Sequence, residues 1–556
     1  MNTTPSLPSF LFLLADDIGW ADFSYNNGTA LTPNIDAWAK EKSSLLMQDF
    51  HSGGTVCSPT RATVLTGRHH FRDCVDFVYG CSDMSLCVPN FEFAPSHTFT
   101  VGDAVRMAHP EEYGDYGGVY FAGKWHLGSF FNDSEAYGGK CSSPLNHGFS
   151  KMNATVEVAP TATANCQCKP EWQKDCQFGH YHEQKYCYSS EKFNGKCCYN
   201  YWWDDPLSAH GVANLTWPTP ADDSLYLADA FSRYIAERAQ QQKPFLAQIS
   251  FHNCHIPFIA VKAAKESCAR GETCRPPDPG SPPYTDKELD YYGCLTELDN
   301  AVGKVLQALK KHGYYDNTMI WFASDNGPER VCPPDGICKK ASTDPQRPAE
   351  GPGSAGPLRG RKRDIYEGGH RVAGIVSFPP LVQGQGGKET WETVVTFDFL
   401  PTIMELLYQN RPPSQQSWAM DGRSIVPLLK NPGTFQWNNT KEGPRSFGIG
   451  FFDPKLVKSN GWGYRWGKWK YVQGSASCKR EDCQKPQLFD LESDLGERHN
   501  LAEVKPTVLS HLQEEFRKWH ASIMKSRREE SKCQKTDLLP LPAFMSEQSS
   551  EVPEKS

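Results

Sequence analysis

Four short apolar segments of this 556-residue chain are each followed at once by polar side chains that can take part in chemistry. The segments are Ser9–Ala15, 119–122, 245–251 and 318–323. Continuous apolar runs of this length are typical of strands buried on both faces of a mainly parallel sheet. Open α/β sheets bind ligands at the carboxyl ends of their strands, so four polar strand ends indicate one shared site.

Helical periodicity lies between these segments. Residues 223–238 and 286–312 repeat apolar positions at helical spacing, and residues 397–407, with 420–429 after them, predict the last helix and connection of the domain. Strands that alternate with helices indicate a doubly wound sheet. The predicted fold class is therefore α/β, with a large, mainly parallel sheet sandwiched by helices over residues 1–430.

The chain changes character beyond about residue 430. Aromatic-rich segments at 462–472 and 487–491 predict an antiparallel sheet, and residues 506–523 predict a terminal helix with proline in its first turn. These elements predict a smaller C-terminal α+β domain over residues 431–527. The mostly polar residues 528–556 are predicted to form a disordered tail.

Residues 130–222 are predicted to form an insertion in the first domain. They hold seven cysteines and an aromatic group at 199–203, with few periodic stretches. The spacing around His180 and His182 matches no standard zinc finger or ribbon, so a disulfide-stapled loop is the favoured interpretation.

Twenty cysteines, some as closely spaced as Cys268 and Cys274, suit an oxidising compartment in which disulfides persist. We therefore expect a disulfide-bonded glycoprotein that is secreted or enters a lysosome-like compartment. No signal peptide is recognised, because the apolar run at 10–15 is short and ends in two aspartates. The Asn-x-Ser/Thr sequons, which also fit secretion, are Asn2, Asn27, Asn132, Asn153, Asn214 and Asn438.

The net charge of −7, without an extended basic run, argues against nucleic acid as the main partner. Binding to a phosphate backbone needs clustered Lys and Arg. No stretch approaches the roughly 20 apolar residues that a membrane span requires. A few local cations would still suffice to hold a small anionic substrate.

Oxygen-donor side chains follow two of the predicted strands. Asp16 and Asp17 come directly after the first, and Asp325 and Asn326 follow the fourth. Adjacent carboxylates repel each other unless a cation lies near them. An isolated Asp-Asp sequence, however, more often lies in a solvated turn. Three carboxylates and one amide oxygen form a hard ligand set, which favours calcium or magnesium over zinc. Between these two ions we predict calcium.

Basic side chains follow the other two strands. Lys124 and His126 lie two residues apart, so in an extended segment they project to the same side. His255 follows the third strand and could act as a general acid, because an unperturbed imidazole titrates near neutral pH. Lys362 lies in a basic cluster and could neutralise the oxygens of a bound anion. Taken singly, Lys362 is typical of a surface residue and His255 of a structural histidine.

Cys57 begins the most specific motif in the chain. Residues 57–67 follow the pattern Cys-x-Pro-x-Arg-x-x-x-x-Thr-Gly, by which sulfatases mark one cysteine for oxidation to formylglycine. Taken alone, Cys57 could also be a buried or disulfide-bonded cysteine beside a proline turn.

With this signature, the chain resembles a type I sulfatase of the alkaline phosphatase superfamily from residue 10 to about 505. The C-terminal part of the resemblance is Leu488-Phe489-Asp490-Leu491 with Glu497 and Asn500-Leu501. One further sulfate-contacting polar residue is expected between about 145 and 170. The other matching motifs are Ala15-Asp16-Asp17-Ile18-Gly19-Trp20, Gly123-Lys124-Trp125-His126-Leu127-Gly128, Ser324-Asp325-Asn326-Gly327 and Tyr366-Glu367-Gly368-Gly369.

The resemblance implies a cation site beside the nucleophile. Its ligands would be Asp16, Asp17, Asp325, Asn326 and the formylglycine derived from Cys57. A maturation enzyme that generates formylglycine is then an obligatory partner.

The resemblance also implies roles for the basic residues. Arg61 would stabilise the hydrated aldehyde, and Lys124 and Lys362 would bind the sulfate. His255 would protonate the leaving oxygen. His126 would take a proton from the second hydroxyl after transfer, which regenerates the aldehyde.

The predicted function is hydrolysis of sulfate esters on a small molecule or glycan, and the aromatic, cysteine-rich insertion favours a carbohydrate. One alternative is a phosphoester or phosphonate hydrolase of the same superfamily, because the site also suits a tetrahedral phosphoryl group. The other is a non-catalytic glycan-binding protein in which Cys57 is not oxidised.

Overall fold

A ten-stranded mixed sheet forms the centre of the protein. The computed structural model describes residues 7–78, 98–127, 144–155, 200–205, 208–214, 223–256, 258, 260–329, 351–382, 388–408, 420–452, 461–474 and 485–529. In chain order, the strands are β1 (Ser9–Ala15), β2 (Ser44–Met47), β3 (Phe50–His51), β4 (Val119–Lys124), β5 (Lys151–Thr155), β6 (Asn200–Asp205), β7 (Ser208–Asn214), β8 (Leu246–Ser250), β9 (Thr318–Ser324), β10 (Arg371–Val372), β11 (Gly374–Ser377), β12 (Lys388–Thr390), β13 (Val394–Val395), β14 (Ser446–Phe451), β15 (Gly461–Trp466), β16 (Trp469–Gly474) and β17 (Gln487–Asp490).

The large sheet has the order β12-β2-β11-β9-β1-β8-β4-β5-β6-β7. Its central run from β9 to β5 is parallel throughout, and antiparallel pairs flank that run on both sides. A second sheet of three short strands has the order β10-β3-β13. The predicted α/β class with a mainly parallel sheet is confirmed.

The helices occupy the connections between the strands. They are α1 (Pro33–Ala39), α2 (Cys57–Thr66), α3 (Val101–Ala108), α4 (Pro110–Tyr113), α5 (Ser224–Gln241), α6 (Lys262–Ala269), α7 (Asp286–Lys311), α8 (Glu367–His370), α9 (Phe399–Tyr408), α10 (Val426–Lys430) and α11 (Pro506–Glu529). The predicted helices at 223–238, 286–312 and 397–407 correspond to α5, α7 and α9. In the predicted connection at 420–429, the helix is limited to the short α10, which begins at Val426.

β1 is apolar along its whole length because helices cover both of its faces. Leu11 and Leu13 belong to a core that includes side chains of α1, α5 and α7. Phe10 and Phe12 point to the opposite face and pack with side chains of α2, α3 and α9. Alternate residues of a strand project to opposite faces, so a strand between two helical layers needs apolar residues at every position.

The four strands predicted from apolar runs are β1, β4, β8 and β9, and they are neighbours in the order β9-β1-β8-β4. All are parallel, with Ala15 paired to Ser324, Leu14 to Ser250, and Ser250 to Gly123. Their carboxyl ends therefore lie side by side at one edge of the sheet, as predicted.

The predicted insertion at 130–222 lies largely outside the described residues and stays a prediction. The described parts of that range supply β5, β6 and β7, which extend the large sheet at its end beyond β4.

The C-terminal part forms a separate antiparallel sheet, β14-β15-β16-β17, with α11 packed against it. Trp462 and Tyr471 of the sheet share a core with Leu512 and Phe516 of α11. This confirms the predicted antiparallel sheet and helix. The helix is longer than predicted and ends at Glu529, and residues 530–556 of the predicted tail lie outside the described residues.

A buried network of charges joins the C-terminal sheet to the main domain. Lys470 of β16 lies 2.8 Å from Glu367 of α8 and 2.9 Å from Glu497, and all three side chains are 0% exposed. Arg465 of β15 lies 2.8 Å from Asp49, beside β3. Burial raises the pKa of Glu497 to about 7, although Lys470 works against that shift.

The same network contains His51, Glu367 and His370, whose ligand atoms are close enough to hold a metal ion. Lys470 Nζ already lies 2.8 Å from Glu367 and 3.2 Å from His370 Nε2. An ammonium donor makes His370 Nε2 an acceptor, so His370 Nδ1 donates to His51 Nδ1, 2.9 Å away. We therefore interpret this cluster as a hydrogen-bonded junction between the two parts of the chain.

We expect Lys470→Met to lower the free energy of unfolding by about 3–5 kcal/mol, because it leaves two buried carboxylates without their shared cation. Denaturant unfolding measures the change. Lys468→Met is the matched control, because Lys468 pairs with Asp490 and Glu492 but its side chain is 45% exposed. The control should cost less than about 1 kcal/mol. Equal losses in the two variants would contradict the importance assigned to the buried junction.

Candidate active site

Backbone hydrogen bonds continue past the ends of the central strands and fix the polar segments that follow. Asp16 N donates to the carbonyl of Asn253 at 2.7 Å, and Cys254 N donates to that of Asp16 at 2.6 Å. On the other side, Asp325 N donates to the carbonyl of Ala15 at 3.0 Å. The carboxylates after β1 and β9 and the segment after β8 are therefore held together by the sheet itself.

Cys57 is the first residue of α2, and its side chain is buried against this strand edge. Its Sγ lies 3.5 Å from Asp16 Oδ1 and 3.7 Å from Lys124 Nζ. α2 ends at Thr66, and Gly67 caps it with a φ of 66°, in the left-handed region that favours glycine. Because Cys57 is the first residue of the helix, it lies where free backbone N–H groups favour negative charge.

Arg61 lies one turn after Cys57 on α2, so the two side chains share a helix face. Its Nη2 lies 2.8 Å from Asp325 and 3.3 Å from Asp16, and its Nη1 donates to the carbonyl of Lys124 at 2.6 Å. The four-residue spacing in the motif thus connects the predicted nucleophile to three strand ends.

The residues after β1 and β9 supply oxygen donors that fit a hard cation. Ligand atoms of Asp16, Asp17, Cys57 and His255 all lie within 4.8 Å of one another. His255 was predicted as a general acid and not as part of such a group.

Asp325 and Asn326 border this group. Asp325 Oδ1 accepts from Asp17 N at 3.3 Å, and Asn326 Nδ2 donates to Asp17 Oδ1 at 2.7 Å. Among the described residues, the buried Oδ1 of Asn326 has no hydrogen-bond partner. A buried amide oxygen beside three carboxylates fits a calcium or magnesium ion.

The two adjacent aspartates have divergent pKa values. Burial would raise the pKa of Asp16, but Lys124, His255 and Arg61 together hold it well below its ordinary value. Burial raises the pKa of Asp17 to about 7, against the opposing effect of Lys362 and with a further contribution from the charge of Asp16. A divalent cation beside both would favour their ionised forms.

The basic sequence around Lys362 alone would suggest a surface residue, but Lys362 is buried. Its Nζ lies 2.6 Å from Asp17 and 3.2 Å from Glu329. Glu329 also pairs with Arg363 and is held at a pKa well below its ordinary value by Lys362 and Arg363, despite burial. Sequence reasoning missed Glu329, although it lies only three residues after Asn326.

Lys124 and His255 approach the same carboxylates from the other side. Lys124 Nζ lies 2.6 Å from Asp16, and His255 Nε2 lies 3.8 Å from Asp17. Burial lowers the pKa of His255 well below its ordinary value, and the charges of Lys124 and Lys362 add to this effect. The His255 side chain is 24% exposed, and an anion between the two lysines would raise this pKa because it offsets their charge.

His126 is buried just beyond β4, with a φ of 54°. Asp17 has a φ of 59°, so two of the predicted site residues adopt the left-handed backbone region that non-glycine residues rarely occupy. Such strain persists where the surrounding structure enforces it, and it is frequent at functional sites.

Cys57 cannot serve readily as an ordinary thiolate. Burial raises its pKa well above the ordinary value, and the charges of Asp16 and Asp325 act in the same direction. The thiolate is the nucleophilic form of cysteine, so a neutral buried thiol is inert. Cys57 is a buried free cysteine, whereas Cys268 and Cys274 form a disulfide.

A family model described as Sulfatase matches residues 8–409 of the chain. The chain belongs to the sulfatase family. As a member it is a sulfuric ester hydrolase, so the predicted family and enzyme class are confirmed. In the part of the chain that the structure describes, no helix is both long and apolar enough to cross a membrane.

Known proteins resemble this sulfatase over most of its length. It is 26% identical over 529 residues to a sulfatase of Formosa agariphila, covering 90% of this chain and 85% of that protein. It is also 26% identical over 430 residues to human (Homo sapiens) N-acetylgalactosamine-6-sulfatase, covering 76% of this chain and 66% of the relative. The crystal structure of Ps i-CgsB in complex with k-i-k-neocarrahexaose superposes with a TM-score of 0.64 at 22% identity, covering 92% and 93% of the two chains. At that identity the likeness concerns the fold alone.

The expected additional sulfate-contacting residue between 145 and 170 stays a prediction. Residues 156–170 lie outside the described residues. Thr155 ends the described part, and its hydroxyl lies 2.7 Å from His252 Nε2, within the protein interior.

We expect Asp325→Ala to weaken calcium binding by at least about 100-fold and to lower activity with it, because it removes a carboxylate from the oxygen-donor group. Calorimetric titration of the metal-stripped sulfatase with calcium measures the affinity. Asp299→Ala is the matched control: Asp299 is also buried, but it accepts from Ile35 N, at the start of α1. A calcium affinity that is unchanged in Asp325→Ala would contradict the assignment.

Proposed function

We propose that this sulfatase hydrolyses sulfate esters of carbohydrates through a formylglycine derived from Cys57 and a bound calcium ion. The observation that carries the proposal is the place of Cys57 at the first residue of α2, 3.5 Å from Asp16 Oδ1 and 3.7 Å from Lys124 Nζ. A hydroxyl nucleophile at this position would lie beside the proposed ligands of the cation and beside a lysine that can hold the sulfate.

Each step of the proposed reaction needs a group that the site contains. The hydrate of formylglycine would offer two hydroxyls on one carbon. One would attack sulfur and break the S–O bond to the leaving alcohol; loss of the proton from the other would then break the C–O bond, release sulfate and leave the aldehyde. The cation would lower the pKa of the attacking hydroxyl and stabilise charge on the sulfate. Arg61 holds the carboxylates beside residue 57 and would stabilise the hydrate.

The proposed proton transfers use the two histidines. His255 lies beside Asp17 at the partly exposed side of the cluster, where a leaving alcohol can be protonated. His126, beyond β4, would accept the proton of the second hydroxyl. Lys124 and Lys362 would hold the sulfate oxygens as point charges from two sides.

The charge balance of the cluster also supports an anionic substrate. Four carboxylates and four cationic side chains contact one another at this edge of the sheet. A divalent cation would leave an excess of positive charge, which an anionic ester and an ionising hydroxyl would offset. The groups are Asp16, Asp17, Asp325 and Glu329, with Arg61, Lys124, Lys362 and Arg363.

A sulfated carbohydrate is the proposed substrate class. Human N-acetylgalactosamine-6-sulfatase is named for a sulfated sugar, and Ps i-CgsB was crystallised with a neocarrahexaose. These names describe those proteins, and we carry over only the class of sulfated glycan. A panel of sulfated mono- and oligosaccharides would identify which ester this protein prefers.

We expect Cys57→Ala to abolish sulfate-ester hydrolysis, because alanine cannot be converted to an aldehyde. Turnover of aryl sulfate and aryl phosphate by protein co-produced with a formylglycine-generating enzyme measures this, and peptide mass spectrometry shows the aldehyde at residue 57. Cys254→Ala, at another buried cysteine, is the matched control and should keep most of the activity.

Three outcomes would contradict the proposal in different ways. Appreciable sulfate turnover by Cys57→Ala would exclude the formylglycine mechanism. A preference of the wild type for aryl phosphate would favour the phosphoester hydrolase alternative. An unmodified thiol with retained glycan binding would favour a non-catalytic protein.

We also propose that the protein matures in a secretory or lysosome-like compartment as a glycoprotein. The disulfide between Cys268 and Cys274 fits an oxidising environment. Asn27 and Asn438 are exposed, so two of the sequons are accessible in the folded protein. Asn153 is only 9% exposed, and its Nδ2 donates to the hydroxyl of Tyr226 at 3.0 Å.

In protein from a secretory host, we therefore expect glycans at Asn27 and Asn438 and none at Asn153. Enzymatic deglycosylation in heavy-oxygen water, followed by peptide mass spectrometry, labels each asparagine that carried a glycan. Labelling of Asn153 in folded, active protein would contradict this expectation, and Asn153 thus acts as the internal control.

A further inference from the structure

A buried array of three polar side chains lies beside the active site. Thr155 ends β5, His252 follows β8, and Asp223 precedes α5. Thr155 Oγ1 lies 2.7 Å from His252 Nε2, and His252 Nδ1 lies 2.7 Å from Asp223 Oδ2. The three residues are 5%, 2% and 0% exposed. Buried polar groups are costly without partners, so the Thr155–His252 hydrogen bond helps to hold the two segments together.

The hydroxyl of Thr155 orients the imidazole through its hydrogen bond with Nε2, in which the donor depends on the tautomer of the ring. On the other side of the ring, Asp223 Oδ2 makes a close contact with Nδ1 that does not have the geometry of a hydrogen bond. Serine hydrolases activate a nucleophile with the same order of hydroxyl, imidazole and carboxylate. Here the hydroxyl is buried at the end of a strand, so the array is suited to holding segments together.

Thr155 and His252 each accept a backbone hydrogen bond from a segment that carries proposed catalytic groups. Trp125 N, between Lys124 and His126, donates to the carbonyl of Thr155 at 2.9 Å. His255 N donates to the carbonyl of His252 at 2.9 Å. The side-chain contact therefore links the segment after β4 to the turn that presents His255.

We propose that His252, held by Thr155 and Asp223, is a positioning residue that fixes His255 relative to Lys124 and His126. This inference rests on the proposed function, because it assigns His255 as the acid for the leaving oxygen. General acid catalysis depends on geometry, and displacements of about 1 Å can cost about 100-fold in rate. Loss of the Thr155–His252 contact would thus impair protonation of the leaving group more than binding of the sulfate.

The test compares Thr155→Val, which lacks the hydroxyl, with Thr155→Ser, which keeps it. Both are assayed on phenyl sulfates whose leaving phenols range from acidic to weakly acidic. Poor leaving groups depend on protonation, so we expect Thr155→Val to lower kcat by about 10-fold or more for the poorest and by less than about threefold for the best. KM should change little, and Thr155→Ser should restore the wild-type dependence on the leaving group.

Thr318→Val is the matched control, because Thr318 is a buried threonine at the opposite end of the sheet, where β9 begins, and its hydroxyl donates to the carbonyl of Tyr314 at 2.8 Å. Rates are normalised to the fraction of residue 57 converted to aldehyde. If Thr155→Val does not fold, His252→Gln takes its place with the same expected result. An equal loss for all leaving groups, or the same pattern in Thr318→Val, would overturn the inference.

The wild type separates this inference from the proposed function. A wild type that is inactive on every sulfate ester overturns the proposed function and this inference with it. A wild type that is active, with a Thr155→Val variant of unchanged leaving-group dependence, overturns the positioning role alone.

Discussion

The burial of two adjacent carboxylates, Asp16 and Asp17, at the end of the central strand is the constraint on which the rest of the structure depends. An uncompensated buried charge costs several kcal/mol, so each carboxylate needs a cation held in good geometry. Lys124 reaches Asp16 from the end of β4, and Lys362 reaches Asp17 from a distant segment. Arg61 joins both sides from α2. The parallel pairing of β9, β1, β8 and β4 brings the ends of these strands to one edge of the sheet. The order of the strands therefore also determines which charged side chains meet at the site.

The same charges determine which chemistry the site can support. Burial raises the pKa of Asp17 to about 7 and that of Cys57 well above its ordinary value, and the charge of Asp16 adds to both shifts. The cationic side chains instead hold the pKa of Asp16 well below its ordinary value, against the effect of burial. A divalent cation would favour ionised Asp17 and would also favour negative charge on an oxygen at residue 57. The same cation would lower the pKa of a thiol as well, whereas only the aldehyde hydrate offers a second hydroxyl whose proton can be lost to release sulfate. The case for a modified residue 57 therefore rests on the sequence motif and on the place of this residue among the charged groups.

Sequence patterns predicted the parts of the fold that depend on local periodicity. The four buried strands and the long helices follow from apolar runs and helical spacing, and the polar strand ends lie at one edge of the sheet, as predicted. Short strands such as β2, β11 and β12 carry too little periodicity to be recognised. The burial of Lys362 could not be derived from its basic surroundings, and only the family resemblance pointed to it. Glu329 and His252 were missed because their partners are distant in sequence and become evident only in three dimensions.

The C-terminal sheet contributes to the site through the segment that carries Lys362. On one side, Lys362 contacts Glu329, close to the end of β9. On the other, Arg359 donates to the carbonyl of Glu497, and Glu497 pairs with Lys470 of the C-terminal sheet. The segment is therefore held by both parts of the chain, which limits how far Lys362 can move from Asp17. A lysine fixed in this way can bind an anion without first losing conformational freedom, so the C-terminal sheet would favour the proposed sulfate binding although it supplies no proposed ligand.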